Sequence, residues 1–164
     1  MALDAIHHNG VTELDAHSLF GAMQQRATHN WFVANNKRTM IIARSTFAGS
    51  GKFASRWLGD NFSQLEYVGY SVNGVQLSNI MGIPFVGADI CGFIGTASQE
   101  LCTKWHFVGA FYPFSRNHHA ENVEQEPYRY TEVYHVTGKT FMAHMSDAIR
   151  IKYALIPYYY TLLN

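Results

Sequence analysis

The chain has 164 residues, which is enough for one domain with a hydrophobic core. Hydrophobic residues make up 48% and aromatic residues 15%, a composition that excludes an intrinsically disordered chain. Basic and acidic residues number 12 each, so no net charge favours binding to nucleic acid or to an anionic membrane.

The hydropathy pattern predicts neither a transmembrane helix nor a signal peptide. No run reaches the roughly 18 apolar residues that a transmembrane helix needs. The first residues lack the basic start and apolar run of a signal peptide. They also carry no helix cap or turn ahead of the first pattern, so we expect that Met1 is not the natural start of the protein.

The hydrophobic pattern predicts alternating strands and helices, which is typical of βα units in an α/β protein with a parallel sheet. Short apolar runs indicate the strands, and Gly- and Ser-rich stretches indicate loops. The predicted elements, in chain order, are a strand at 38–44, a loop at 45–55, a short apolar segment at 56–61, a helix at 62–80, a strand at 82–89, a helix at 96–105 opened by a Thr96/Gln99 capping box, a strand at 108–118 and a helix from Ser146 that Pro157 interrupts.

Four polar residues follow short apolar runs, at the positions where strands are predicted to end: Arg44, Asp60, Asp89 and His118. In a (β/α)8 barrel the catalytic groups lie at the carboxyl ends of the strands. Taken singly, each of these residues is more typical of a loop residue that caps a turn than of a site. Because four of them recur at equivalent positions, we expect them to converge on one site.

Several short segments resemble known functional motifs but lack residues that those motifs require. The segments GSGK and TGKT lack the first glycine that a phosphate-binding loop requires. The paired histidines at 7–8 and 118–119 have no partner at the spacing of a zinc site, so we expect no metal and no cofactor. Asn61, in the formal glycosylation sequence NFS, is predicted to form a polar turn. The spacing of Cys91 and Cys102 matches no metal motif and by itself favours two buried thiols.

Longer segments occur together and in order: DAHSLFG, RSTFAGSGKFASRWLGDN, GIPFVGADICGF, LCTKWHFVGAFYPFSRNH, QEP and IPYYYTLLN. From Leu3 to Asn164 the chain resembles the catalytic domain of glycoside hydrolase family 31. GADICGF and FSRNH are similar to its maltase-like and lysosomal α-glucosidase branch rather than to its endoplasmic-reticulum glucosidase II branch.

The resemblance implies a partial (β/α)8 TIM barrel, with residues 1–164 forming roughly strands five to eight and their helices. It implies a retaining exo-α-glucosidase that removes terminal α-1,4-linked glucose from maltose and malto-oligosaccharides. The implied roles are general acid/base for Asp60, substrate binding for Arg44, Trp57, Asp89, Phe93 and His118, and a disulfide for Cys91 and Cys102. The disulfide in turn implies a secretory, lysosomal, vacuolar or extracellular location.

Two features depart from the family pattern. Relatives commonly carry Gly-His where this chain has Ser55-Arg56, which brings a permanent cation near the presumed acid. A general acid must keep its proton near the working pH, and a nearby cation opposes this. The segment between QEP and IPYYY is also several residues longer than in the family, so the approach to the last helix is not fixed by the resemblance.

The expected nucleophile is missing, because none of the three tryptophans begins a motif of the W-I-D-M-N-E type. Retaining hydrolysis uses two carboxyl groups, and a full (β/α)8 barrel takes about 250 residues. We therefore expect an inactive part of an α-glucosidase whose partner is the other half of the barrel. The alternatives are a non-catalytic carbohydrate-binding or partner-binding remnant, and an unrelated nucleotide-binding βα protein, which the lack of a phosphate loop disfavours.

Overall fold

The structure is a computed structural model that describes residues 1–134 and 137–163. Residue 164, the end of the predicted last helix, lies outside the described residues. Helices and short parallel strands follow one another along the described chain. They are α1 (Glu13–Ala34), β1 (Ile42–Ala43), β2 (Ser55–Trp57), α2 (Leu65–Ile80), β3 (Val86–Gly87), β4 (Asp89–Ile90), α3 (Gln99–Gly109), β5 (Arg116–Asn117) and α4 (Phe141–Leu163).

The strands form two parallel ladders, in the orders β1-β2-β3 and β4-β5. Arg56 in β2 lies level with Val86 in β3, and Asp89 in β4 lies level with Arg116 in β5. Only Ala88 separates β3 from β4, so the chain passes directly from one ladder to the other. This arrangement of parallel strands and helices agrees with the predicted α/β class, and it gathers the carboxyl ends of the strands at one edge.

A glycine in β3 lets the backbone after α3 come close to the sheet. Phe114 donates its N–H to the carbonyl of Val86 at 3.1 Å. A Cβ atom on Gly87 would lie 1.7 Å from the carbonyl oxygen of Phe114, so a larger residue cannot occupy this position without moving backbone. The contact fixes the start of β5 against β3.

The core lies between α3, α4 and β4. Trp105, Phe141 and Met145 are almost fully buried there. Trp105 donates its indole N–H to the hydroxyl of Tyr112 at 3.2 Å, which satisfies the one polar atom of this side chain. The two helices therefore pack as a layer on one side of β4 and hold its position.

Several predicted boundaries are wrong. Helix α1 was not predicted, because its burial does not follow the usual pattern of an amphipathic helix. The polar residues Glu13 and Gln25 are buried, while apolar residues such as Phe20 are exposed. The capping residue of α3 is Ser98, which accepts a hydrogen bond from the N–H of Leu101, and not Thr96.

The remaining errors concern where elements begin and end. Helix α3 continues to Gly109, so the predicted strand at 108–118 shrinks to β5. The predicted strand at 82–89 divides into β3 and the beginning of β4. Helix α4 begins at Phe141 rather than Ser146 and continues through Pro157. No helix in the described ranges has both the length and the apolar character needed to cross a membrane.

A disulfide joins the end of β4 to α3. Cys91 and Cys102 are both fully buried and are bonded to each other, with their Cα atoms 4.5 Å apart. The pairing implied by the family resemblance is therefore present, and the two free thiols favoured by spacing alone are wrong. His106 places its Nδ1 atom 3.4 Å from the sulfur of Cys91, but both sulfurs are already used in the disulfide.

Replacing both cysteines by alanine is expected to lower the free energy of unfolding by about 2–4 kcal/mol, because a link of this kind restricts the unfolded chain. Denaturant unfolding of the oxidised protein, the reduced protein and the Cys91→Ala/Cys102→Ala variant checks this. Reductant should destabilise the wild type and leave the double variant unchanged. Equal stability of the oxidised and reduced wild type would contradict the stabilising role of the disulfide.

Candidate active site

Asp89 is the most buried charged group at the carboxyl ends of the strands. It begins β4, two residues after β3 ends, and none of its surface is exposed. Its Oδ1 atom accepts two hydrogen bonds, from Nε1 of Trp57 at 2.6 Å and from Nη2 of Arg116 at 3.0 Å. One carboxylate oxygen therefore connects the end of β2 with the starts of β4 and β5.

The other carboxylate oxygen of Asp89 has no partner among the described residues. Its Oδ2 atom is shielded from solvent and makes no hydrogen bond within the part of the chain that the structure describes. Burial raises the pKa of the Asp89 carboxyl, while the hydrogen bonds from Arg116 and Trp57 act in the opposite direction. A buried acceptor without a donor is costly, so a ligand hydroxyl that reached Oδ2 would be favoured there.

Asp60 lies in a different environment. It follows β2 by three residues, and its side chain is 34% exposed. The guanidinium of Arg44, which directly follows β1, lies 3.6 Å from its Oδ2 atom. The site thus holds two carboxylates, one buried and engaged on one oxygen, the other open to solvent beside a cation.

Two guanidinium groups lie close to the ring of Trp57. The Cζ atom of Arg44 is 5.7 Å from the centre of the Trp57 ring, and that of Arg116 is 5.4 Å away. Cations within about 6 Å of an indole face are attracted to it. Since the indole N–H is also bonded to Asp89, the Trp57 ring is held by contacts on several sides.

An aromatic wall completes the site. The rings of His118 and Phe93 lie 5.0 Å apart, and those of His118 and Trp57 lie 6.4 Å apart. His118 directly follows β5, and Phe93 lies on the turn after β4. All six residues predicted for catalysis or substrate binding are therefore brought to the same edge of the sheets.

Asn61 is a site residue that sequence reasoning did not assign. Its side-chain amide donates to the carbonyl of Asp89 at 3.0 Å and accepts from the N–H of Phe93 at 3.0 Å. The residue is only 8% exposed, and its amide links the backbone of Asp89 to that of Phe93. Its adjacency to Asp60 was the one signal that could have indicated this role.

Arg116 was also missed, although it belongs to the FSRNH segment. Sequence analysis selected only the nearby His118. A local sequence pattern does not show which carboxylate an arginine at a strand end will pair with. The structure shows that this partner is Asp89.

Arg56 does not form an ion pair with Asp60 within the described part of the chain. It lines a cavity of about 650 Å³ together with Phe47, Met81 and Ile83, and its Nε atom is buried without a described partner. Neighbouring residues of a strand point to opposite faces, so Arg56 points away from the face of Trp57. The cation that pairs with Asp60 is Arg44, which lines the same cavity as Arg56.

Comparison with known proteins agrees with this architecture. Residues 1–162 match the model of the glycosyl hydrolases family 31 TIM-barrel domain. Over 155 residues the chain is 46% identical to lysosomal alpha-glucosidase of Bos taurus, covering 93% of this chain and 16% of the relative. Over 165 residues it is 42% identical to alpha-glucosidase of Aspergillus niger, covering 98% of this chain and 16% of the relative.

A solved structure gives the same result. The crystal structure of the glucosidase II alpha subunit bound to alpha3-Glc2 superposes with a TM-score of 0.85 and 34% identity, over 98% of this chain and 17% of that one. The chain thus spans about a sixth of the length of these relatives. Because the family model covers nearly every residue, the chain belongs to glycoside hydrolase family 31 and forms part of its TIM-barrel domain.

Proposed function

We propose that this chain supplies the general acid/base and the sugar-binding wall of a retaining exo-α-glucosidase that releases terminal α-1,4-linked glucose from maltose and malto-oligosaccharides. The observation that carries the proposal is the solvent-facing carboxylate of Asp60 beside the buried cluster of Asp89, Arg116 and Trp57. Of these two carboxylates, only that of Asp60 is open to both a leaving group and water.

In this mechanism Asp60 donates a proton to the glycosidic oxygen as the bond to the leaving sugar breaks. It then accepts a proton from the water that hydrolyses the glycosyl-enzyme intermediate. Its partial exposure allows both the leaving group and the water to reach it. Arg44, at 3.6 Å, orients the carboxylate and can bind a sugar hydroxyl.

The buried cluster binds the glucose at the non-reducing end. Asp89 accepts a hydrogen bond from a sugar hydroxyl at its Oδ2 atom, which has no partner among the described residues. His118 provides a further hydrogen-bonding group, and the rings of Trp57 and Phe93 provide apolar surfaces for the sugar ring. Many sugar-binding sites combine hydrogen-bonding groups with aromatic faces in this way.

The nucleophile is contributed by residues outside this chain. The two carboxyls of a retaining enzyme lie about 5–5.5 Å apart. Asp89 is a poor nucleophile, because the hydrogen bonds from Arg116 and Trp57 hold its carboxylate and withdraw charge from it. We therefore propose that the chain forms approximately strands five to eight of the barrel and is inactive when isolated.

The exposed surface supports a missing barrel half. The chain exposes 10687 Å², whereas a monomer of 18.6 kDa typically exposes about 8,200 Å². Large apolar side chains on α1 and α4, including Phe20, Trp31 and Tyr153, are exposed. Apolar area of this extent is typical of a surface that another part of a protein covers.

A second candidate function is a non-catalytic carbohydrate-binding remnant of such an enzyme. It is favoured by one observation, namely that all the residues proposed to bind sugar lie at one edge of the sheets within this chain, whereas none of its described residues is assigned as the nucleophile. Under this alternative the complete gene product binds maltose without hydrolysing it. The buried disulfide supports an oxidising compartment under either proposal, which we place in the secretory pathway or lysosome.

Asp60→Asn in the complete gene product is expected to lower kcat/KM for maltose by about 10²–10⁴-fold, the usual contribution of a general acid/base. The loss should be smaller for 4-nitrophenyl α-glucoside, because its leaving group needs little protonation. Steady-state kinetics on both substrates checks this.

Asp147→Asn is the matched control, since Asp147 is a partly exposed carboxylate on α4 that pairs with Lys139 and Arg150. It should leave the kinetics unchanged. Full activity of Asp60→Asn on maltose would contradict the acid/base role. Maltose turnover by the purified 164-residue chain would contradict the external nucleophile.

Gly59→Ala tests the placement of Arg44. Gly59 has φ +94°, and a Cβ atom there would lie 2.7 Å from Nε of Arg44. Gly10 is the control, because it has φ +79° and no atom within 4 Å of an added Cβ. Either alanine should cost about 1–2 kcal/mol of stability from backbone strain.

Only Gly59→Ala should also displace Arg44 and reduce kcat/KM, by about 10- to 100-fold, as expected for a small misplacement in a catalytic site. Thermal unfolding and kinetics of both variants check the two effects separately. An equal effect of both substitutions on kcat/KM would show that the position of Arg44 is irrelevant to the reaction.

A further inference from the structure

Gln125 lies in the loop after β5 and is completely buried. Its Nε2 atom lies within hydrogen-bonding distance of four oxygen atoms. They are the carbonyls of Ile90 at 3.3 Å, Gly92 at 3.1 Å and His118 at 3.0 Å, and Oδ1 of Asn117 at 3.0 Å. In the opposite direction, Asn117 donates its amide N–H to the carbonyl of Gln125 at 3.0 Å.

The four oxygens come from the ends of two neighbouring strands. Ile90 and Gly92 belong to the end of β4 and its turn, while Asn117 and His118 belong to the end of β5. The β4-β5 ladder itself contains only two residue pairs. The amide of Gln125 therefore continues the connection between these strands beyond the point where their own ladder stops.

A side-chain amide suits this position for a chemical reason. It supplies two N–H donors and carries no charge, so four oxygens can share them without burying an ion. A carboxylate here would face four acceptors and no donor. An apolar side chain of similar size would leave buried carbonyls without partners, which is costly.

The strand ends that Gln125 connects position the rings of His118 and Phe93. His118 supplies one of the bonded carbonyls, and its ring lies 5.0 Å from that of Phe93. Phe93 follows Gly92, which supplies another. A second link holds the same segments together, because the N–H of Ala120 donates to the carbonyl of Phe93 at 3.0 Å.

We propose that Gln125 is a positioning residue for the sugar site, fixing His118 against Phe93 by joining the ends of β4 and β5. The inference rests on the proposed function for its effect on sugar binding, and on geometry alone for its effect on the strand ends. Gln125 does not touch the sugar, and acts through the backbone on either side of the aromatic wall.

Gln99→Leu provides a matched control for Gln125→Leu. Gln99 is also a buried glutamine, 8% exposed, and its amide exchanges two hydrogen bonds with the backbone of Glu132, at 2.9 and 3.1 Å. It lies at the start of α3 and contributes nothing to the strand ends. Both variants lose a buried amide, but only one of them loses the link between β4 and β5.

The experiment uses the complete gene product and two measurements. Hydrogen exchange with mass spectrometry follows peptides covering 89–94 and 116–121. Gln125→Leu should accelerate exchange in both peptides, whereas Gln99→Leu should leave them unchanged. The inhibition constant for glucose, measured well below the melting temperatures, should rise about tenfold in Gln125→Leu and stay within twofold of wild type in Gln99→Leu.

Gln125→Glu keeps the test valid if the leucine variant does not fold. A carboxyl among four acceptors is held protonated, so the folded state binds a proton that the unfolded state has released. The melting temperature of Gln125→Glu relative to wild type should therefore fall as the pH rises from 5 to about 7.5. A difference that is independent of pH would show that the amide donors are not used.

The outcomes separate the two proposals. If the wild-type protein bound no α-glucoside, the proposed function would be wrong. Hydrogen exchange in the peptides 89–94 and 116–121 would still decide the role of Gln125. Unchanged exchange at both strand ends in Gln125→Leu would overturn the positioning role. So would an equal loss of glucose affinity in the Gln125 and Gln99 variants, because that result indicates lost stability alone.

Discussion

The burial of the Asp89 carboxylate is the constraint on which the site depends. A charged group without solvent is stable only when donors replace the lost water. The indole of Trp57 and the guanidinium of Arg116 meet this requirement, and each belongs to a different strand. Satisfying one oxygen atom therefore fixes the relative positions of β2, β4 and β5, and with them the edge where the remaining site residues lie.

The same cluster explains the separation between the two carboxylates. Asp89 has its charge balanced inside the protein and an acceptor left over for a ligand, whereas Asp60 faces solvent next to Arg44. The first environment suits the recognition of a sugar hydroxyl, and the second leaves Asp60 accessible to a leaving group and to water. The chain belongs to glycoside hydrolase family 31. We base the proposed roles of Asp89 and Asp60 on the difference between their two environments.

The sequence predicted the parts of this structure that leave a local signal. Short apolar runs followed by Arg44, Asp60, Asp89 and His118 indicated βα units, and the structure places all four residues at one edge of the sheets. Helix α1 left no such signal, because it buries Gln25 and exposes Phe20. The end of α3 was mistaken for a strand because its apolar residues continue without a break towards β5.

Contacts between distant residues could not be predicted in the same way. Arg116 and Asp89 are 27 positions apart, and Gln125 and Ile90 are 35 apart. Such pairs depend on how the strands are brought together, and the local sequence around either member is unremarkable. Family resemblance supplied the residues proposed to bind sugar, but it left open the residues that hold them in place, including Asn61 and Arg116.

A crystal structure of the complete gene product with bound glucose tests the central claim most directly. The account predicts a glucose molecule against the rings of Trp57 and Phe93, with one hydroxyl within hydrogen-bonding distance of Oδ2 of Asp89 and the anomeric oxygen facing Asp60. Glucose bound away from this edge, with Oδ2 of Asp89 still without a donor, would contradict it.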